Sequence, residues 1–130
     1  MSFLTVAFRE LVRWLWSTVI QKELDELKNR FNSHVIRLDR TKSNPSGVSP
    51  NVAYELFEEY GGEDCLQHVD SKVIYALMEE LGGEELIMFV SREYAVRAQA
   101  VLNTLGLRNL NLQNIWHVFS AMLPLMRAAQ

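Results

Sequence analysis

At 130 residues, with a net charge of −3, 48% hydrophobic and 22% charged residues and one cysteine, the chain is about one domain long. That length buries a self-sufficient core without disulfides or metal, and Cys65 alone excludes an internal disulfide. The acidic balance argues against a general polyanion binder. Arg9, Glu10 and Arg13 interrupt the apolar run from Phe3 to Ile20, and no small-residue cleavage site follows. The sequence therefore reads as neither signal peptide nor membrane span, and an intracellular setting, cytoplasmic or nuclear, is expected.

The pattern predicts an all-α chain, with about five to six helices in a single domain over residues 1–130. A long first helix over about 3–32 precedes a loop at 34–49 and an irregular bundle at 50–127. Leu4, Phe8, Leu11, Leu15 and Val19 recur at helical spacing, and Trp16, Ile20, Leu24, Leu27 and Phe31 continue the series on an adjacent face. No proline or glycine interrupts that stretch. Leu4, Val6, Phe8, Trp14 and Trp16 cover too much of the circumference to face one core, so part of that surface is expected to meet something else.

Periodicity stops from His34 to Ser49, where Asn44-Pro45-Ser46-Gly47 is a turn cluster. Ser49-Pro50 reads as an N-cap followed by proline at the first helical position. The helix it starts is expected over about Pro50 to Glu59, with Val52, Leu56 and Tyr60 on its inner face. Asp70 or Ser71 caps the next, whose stripe is Val73, Ile74, Leu77, Met78 and Leu81 before Gly82-Gly83. A short helix at about 84–89 follows. Ser91 then caps a helix through Tyr94, Ala98, Val101, Leu102 and Leu105, with Gly106 beyond its end. The last helix, about Leu112 to Arg127, carries Leu112, Ile115, Trp116, Phe119, Met122, Leu123 and Met126, with Pro124 as a kink point. Trp116 is expected in the core.

Little here resembles a catalytic constellation. Cys65 and His68 sit three apart, with His34 and His117 elsewhere, but the paired spacings of a structural zinc site are absent. A Cys–His nucleophile needs an electropositive setting, whereas Cys65 follows Glu63-Asp64 and precedes Asp70. The paired acids Glu58-Glu59, Glu79-Glu80 and Glu84-Glu85 are helix neighbours about 100° apart and do not converge on a metal. No catalytic residue, metal ligand or cofactor is assigned.

Charge is segregated. Lys28, Arg30, Arg37, Arg40 and Lys42 gather with only Asp39 among them, and six acids from Glu55 to Asp70 follow without a Lys or Arg. A basic loop can contact phosphates; it can equally pack beside the acidic helices that follow. Arg37, Arg40 and Lys42 are the candidate nucleic-acid residues, although the interleaved aromatics of a single-strand binder are missing. Trp14 and Trp16 lie about 200° apart around a helix, so one should be buried and the other should face a partner or a neighbouring helix. Leu4, Phe8, Trp14 and Trp16 are the candidate interface residues, toward a second copy or another protein, with no membrane contact expected.

Several segments together carry a family likeness. They are Leu15-Trp16, Val19-Ile20-Gln21-Lys22-Glu23-Leu24-Asp25, Phe31-Asn32-Ser33-His34, Pro45-Ser46-Gly47-Val48-Ser49-Pro50, and the tail from Asn114 to Pro124. This pattern resembles the C-terminal part of fungal integrase-core-like proteins, relatives of retroviral-type integrases and transposases encoded by mobile elements. The resemblance implies a derivative of a ribonuclease-H-like enzyme's edge, without its activity. That family's chemistry uses two aspartates and a glutamate gathering two divalent metals. The aspartates lie on strands, which this chain lacks; Glu10 is the only nearby acid and is not assigned the glutamate's role. Asn32 and His34 match the family motif as structural residues, Asn32 ending the helix against the returning loop. The implied function is protein contact or self-association by a non-catalytic helical domain, the two-fold dimer running through the first helix. The alternative is a DNA-binding accessory domain using the basic loop.

Overall fold

The computed structural model describes the backbone of residues 3–128 and the side chains of residues 6–128. It is all-helical: α1 spans Phe3–Ser33, α2 Pro50–Glu55, α3 Ser71–Glu80, α4 Arg92–Thr104 and α5 Ile115–Ala128. Short 3₁₀ turns occupy Phe57–Tyr60 and Gly83–Ile87. There is no strand among the described residues, and no helix among them is long and apolar enough to cross a membrane. Contacts divide the chain into two compact units. Unit one takes the chain up to Glu23 together with Asp70 onward, and unit two is Leu24–Val69. The division falls inside α1, which runs unbroken through it.

Unit one holds the core. α1 contributes Leu11, Trp14, Leu15 and Val19, α4 contributes Ala98, and α5 contributes Ile115, Val118, Phe119, Met122 and Met126. The α5 residues recur at three and four, so they line one face. Tyr94, Val101, Leu102 and Leu105 of α4 border that core. Ser91 accepts the Tyr94 amide proton at 3.3 Å and starts α4, and Gly106 takes a positive φ of 63° just past its end. That backbone region costs a side-chain-bearing residue but not glycine.

α5 begins later than its apolar pattern suggests, because asparagines hold its approach in a turn. Asn111 Oδ1 accepts the amides of Gln113 and Asn114, and Asn114 Oδ1 accepts that of Asn111 in return. Asn114 also donates to the Asn109 carbonyl at 2.7 Å. Lys22 of α1 ties the same turn down, donating to Asn109 Oδ1 and to the Leu110 carbonyl. Leu112 therefore lies outside the helix and is exposed. Trp116, expected in the core, is exposed as well: about 100° from Ile115 it sits at the edge of the stripe, and Val118 fills the core on the other side.

Two expected inner faces are not inner. Val73, Ile74, Leu77, Met78 and Leu81 of α3 are all exposed, although Asp70 caps the helix by accepting the Lys72 amide at 2.9 Å. Val52, Leu56 and Tyr60 are exposed too, and α2 stops at Glu55 before the 3₁₀ turn. Periodicity marks a face as apolar without saying that anything covers it.

Unit two is built from local hydrogen bonds. The Ser49 hydroxyl accepts the Val52 amide at 3.3 Å and starts α2. The loop before it closes on itself: Ile36 donates to the Val48 carbonyl at 3.1 Å, and Gly47 donates to the Ile36 carbonyl at 2.9 Å. α1 ends where the His34 amide turns back to the carbonyls of Arg30 and Phe31. The only buried residue described in unit two is Ser49.

Candidate interaction surface

The first candidate surface lies in unit one, where α1 meets α5. Phe8 packs edge-on to Phe119 with ring centroids 4.9 Å apart, and Trp16 packs edge-on to Trp116 at 4.6 Å. Phe119 also meets Trp16 at 5.8 Å and Trp116 at 5.9 Å, so the four rings form one edge-to-face cluster. Each such pair stabilises by roughly 0.5–1.5 kcal/mol beyond its burial. Phe119 is buried, but Phe8 is 45% exposed and Trp116 is 62% exposed. The cluster is thus an aromatic platform covered on one side and open on the other.

Among the expected interface residues, Phe8 and Trp16 belong to this cluster. Trp14 does not: only 7% exposed, it packs in the core. It stands about 60° around the helix from Leu11, on the core-facing side. Its carbonyl accepts both the Ser17 and Thr18 hydroxyls. The Leu4 side chain lies outside the described residues. Trp116 and Phe119 complete the platform, and the sequence pattern of α1 does not point to them. Their signal was the spacing of three along α5, which places them side by side.

The basic residues lie in unit two. Arg37, Arg40 and Lys42 are exposed on the loop after α1. Asp39 organises this loop: its Oδ1 accepts from the Thr41 amide at 3.0 Å and the Thr41 hydroxyl at 2.6 Å, and its Oδ2 lies 3.9 Å from Lys42 Nζ. Ser46 Oγ accepts the Asp39 amide proton and donates to the Asp39 carbonyl. The Thr41 bonds, the hydroxyl first and the amide second, hold the Asp39 carboxyl below its ordinary value. An ionised Asp39 thus offsets part of the positive charge around it.

The remaining titratable groups do not assemble. No group of three or more His, Cys, Asp or Glu side chains among the described residues could hold a metal ion. Cys65 is exposed beside a cleft of about 490 Å³ that Glu55, Glu63 and Asp64 help to line. Glu10 is held between Arg9 at 3.6 Å and Arg13 at 3.4 Å. Tyr94 is half-buried, its hydroxyl without a hydrogen-bond partner, and burial pushes its pKa up to about 12. Arg97, stacked 5.4 Å from the Tyr94 ring centroid, works against that shift.

No protein-family model matches the chain, and no curated protein or solved structure is similar to it.

Proposed function

We propose that this chain is a non-catalytic helical domain, derived from the C-terminal region of an integrase-like mobile-element protein, that works by protein–protein contact, self-association first. The integrase-like origin rests on the motifs between Leu15 and Pro50 and in the tail. The observation that carries the contact reading is unit two, which forms a compact unit without a single buried apolar side chain among its described residues.

The magnitudes favour a covered surface. Ordering one residue's backbone costs roughly 1–2 kcal/mol. A local hydrogen bond returns only about 0.5–1.5 kcal/mol. Leu24, Leu27, Phe31, Val35, Ile36, Leu38, Val52 and Leu56 are all exposed. Burying them against another surface supplies the missing stabilisation at about 25 cal/mol per Å².

Sedimentation equilibrium over roughly 10–500 µM, with acrylamide quenching of tryptophan in parallel, tests this reading; association becomes visible when concentration passes Kd. The expected result is a mass that rises with concentration. If the aromatic platform is part of the contact, Trp116 becomes shielded over the same range. A mass that stays monomeric and quenching that stays constant would overturn self-association.

The exposed Arg37, Arg40 and Lys42 favour a second reading, an accessory domain on DNA phosphates. Three phosphate contacts predict a log–log salt slope near −2.7, roughly a 40-fold loss of affinity between about 50 and 200 mM salt. Anisotropy of labelled duplex DNA measures that slope. A slope unchanged when all three residues become Ala would count against the basic loop.

A further inference from the structure

We infer that the second half of α1 is a self-pairing surface, on which Ile20, Leu24, Leu27 and Phe31 meet the same residues of a second copy in an antiparallel two-fold arrangement flanked by Glu23–Arg30 ion pairs. The inference rests on the self-association reading above and specifies its surface and orientation.

The stripe lies on one unbroken helix, so its geometry depends on α1 alone. Residues 20, 24, 27 and 31 follow a four–three–four spacing, which keeps all four within about 60° of one another. The core side chains Leu11 and Leu15 point roughly 160° away. The apolar face of α1 therefore changes sides near Ile20. The four stripe residues are between 48% and 65% exposed. Alternating steps of three and four with apolar residues at each position are what two paired helices need at their seam. The patch is about 18 Å long, much smaller than a standard interface of roughly 800 Å² per partner, so the association is weak and concentration-dependent.

Charge supplies the choice of partner and orientation. Glu23 and Arg30 flank the same side of the stripe, seven residues apart, and Gln21 and Lys28 flank the other. In an antiparallel pair each Glu23 lies beside Arg30 of the second copy, and symmetry makes two such pairs. Leu24 then packs beside Leu27 of the second copy, and Phe31 packs across the smaller Ile20. The parallel alternative would put Phe31 against Phe31 and bring like ends of the helix dipoles together.

The test uses the whole chain in sedimentation equilibrium at about 20–500 µM, with circular dichroism to confirm unchanged helix content; this range suits a weak interface. Leu27→Asp should weaken self-association on the order of a hundredfold, since it buries an unpaired charge. Glu23→Arg and Arg30→Glu should each weaken it about tenfold, because each turns both pairs repulsive. An equimolar mixture of these two variants should associate again, because each cross-copy pair is then of opposite charge. If Glu23→Arg weakens the wild-type association but Arg30→Glu does not, the antiparallel arrangement is wrong. If wild type associates and all three variants match it, this surface is wrong while self-association stands. A wild type that remains monomeric throughout overturns both.

Discussion

The two units draw on the same kinds of residue and use them differently. Unit one aligns the apolar faces of α1, α4 and α5 so that Leu11, Leu15, Val19, Ile115, Met122 and Met126 become almost fully buried. Unit two has Leu24, Leu27, Phe31, Ile36 and Leu56, apolar enough for a core, and buries none of them. What differs is the source of order. Unit one is held by side-chain packing between segments distant in sequence, and unit two by caps and loop bonds between near neighbours such as Ile36 and Val48. A hydrogen-bonded unit without a buried apolar core leaves its hydrophobic side chains on the surface.

Core truncation should separate the units most sharply. Leu15→Ala or Met122→Ala removes packing from a site with no exposure and should destabilise by about 2–5 kcal/mol. Leu56→Ala in unit two should cost within about 0.5 kcal/mol in the dilute chain, as for an ordinary surface substitution. Urea unfolding followed by tryptophan fluorescence measures the first, because Trp14, Trp16 and Trp116 all lie in unit one. Far-UV circular dichroism follows both units. A Leu56→Ala penalty as large as that of Leu15→Ala would mean that unit two has a cover already in the dilute chain.

Hydrogen exchange sharpens the same contrast without mutation. Amides on the buried face of α5, such as Val118 and Met122, should exchange only through large-scale opening, and those of Ile36 and Gly47 through local opening. The expected gap is about a hundredfold or more in rate at neutral pH. Raising the protein concentration into the range of self-association should slow the amides of Leu24 to Phe31 and leave those of α5 unchanged. Equal protection in the two units at low concentration would break the comparison.

What was legible beforehand follows the same line between local and long-range effects. Ser49, the pair Asp70-Ser71 and Ser91 mark the starts of α2, α3 and α4, because a cap is written in a few consecutive residues, and the structure assigns the second of these caps to Asp70. Gly106 announced the end of α4 for the same reason. The length of α1 was legible from apolar residues recurring at helical spacing with no proline or glycine between them. Burial was not, since Ile74, Leu77, Met78 and Leu81 show the same spacing as Ile115, Val118, Phe119 and Met122. Which stripe finds a partner depends on segments far away in the chain. The same gap hides the exposure of Trp116, since an aromatic at the edge of a stripe reads as core until a neighbour fixes the stripe's centre. The candidate surface was half-legible: Phe8 and Trp16 came from α1 alone, but the rings that complete it belong to α5.

Capping should give an intermediate effect. Ser91→Ala leaves the Tyr94 amide without its acceptor at the start of α4, which borders the core, and should cost about 1 kcal/mol. The matching change in unit two, Ser49→Ala, removes a bond of the same length from α2. If unit two is coupled only weakly to the core, Ser49→Ala should lower the helix signal slightly while leaving the tryptophan-detected midpoint in place. A shift of that midpoint as large as the one from Ser91→Ala would show the two units unfolding as one.

The smallest effect is confined to alkaline pH and to unit one. The Tyr94 hydroxyl is buried without a partner, and burial raises its pKa from 10.0 to about 12. The folded state therefore holds the phenolic proton more tightly than the unfolded chain does. The contribution is complete below about pH 10, and it is lost as pH rises from there through about 12. Tyr94→Phe removes the titrating proton along with a hydroxyl that makes no hydrogen bond. Stability at neutral pH should not fall, because the variant removes the cost of burying a hydroxyl that makes no hydrogen bond. The decline of stability between pH 10 and 12 should become shallower in the variant, measured as urea midpoints across that range. A wild-type Tyr94 that ionises near 10 by ultraviolet difference absorbance, with parallel midpoint curves for the two proteins, would place that side chain in water. The border of the core would then be looser at α4 than its packing beside Ala98 implies.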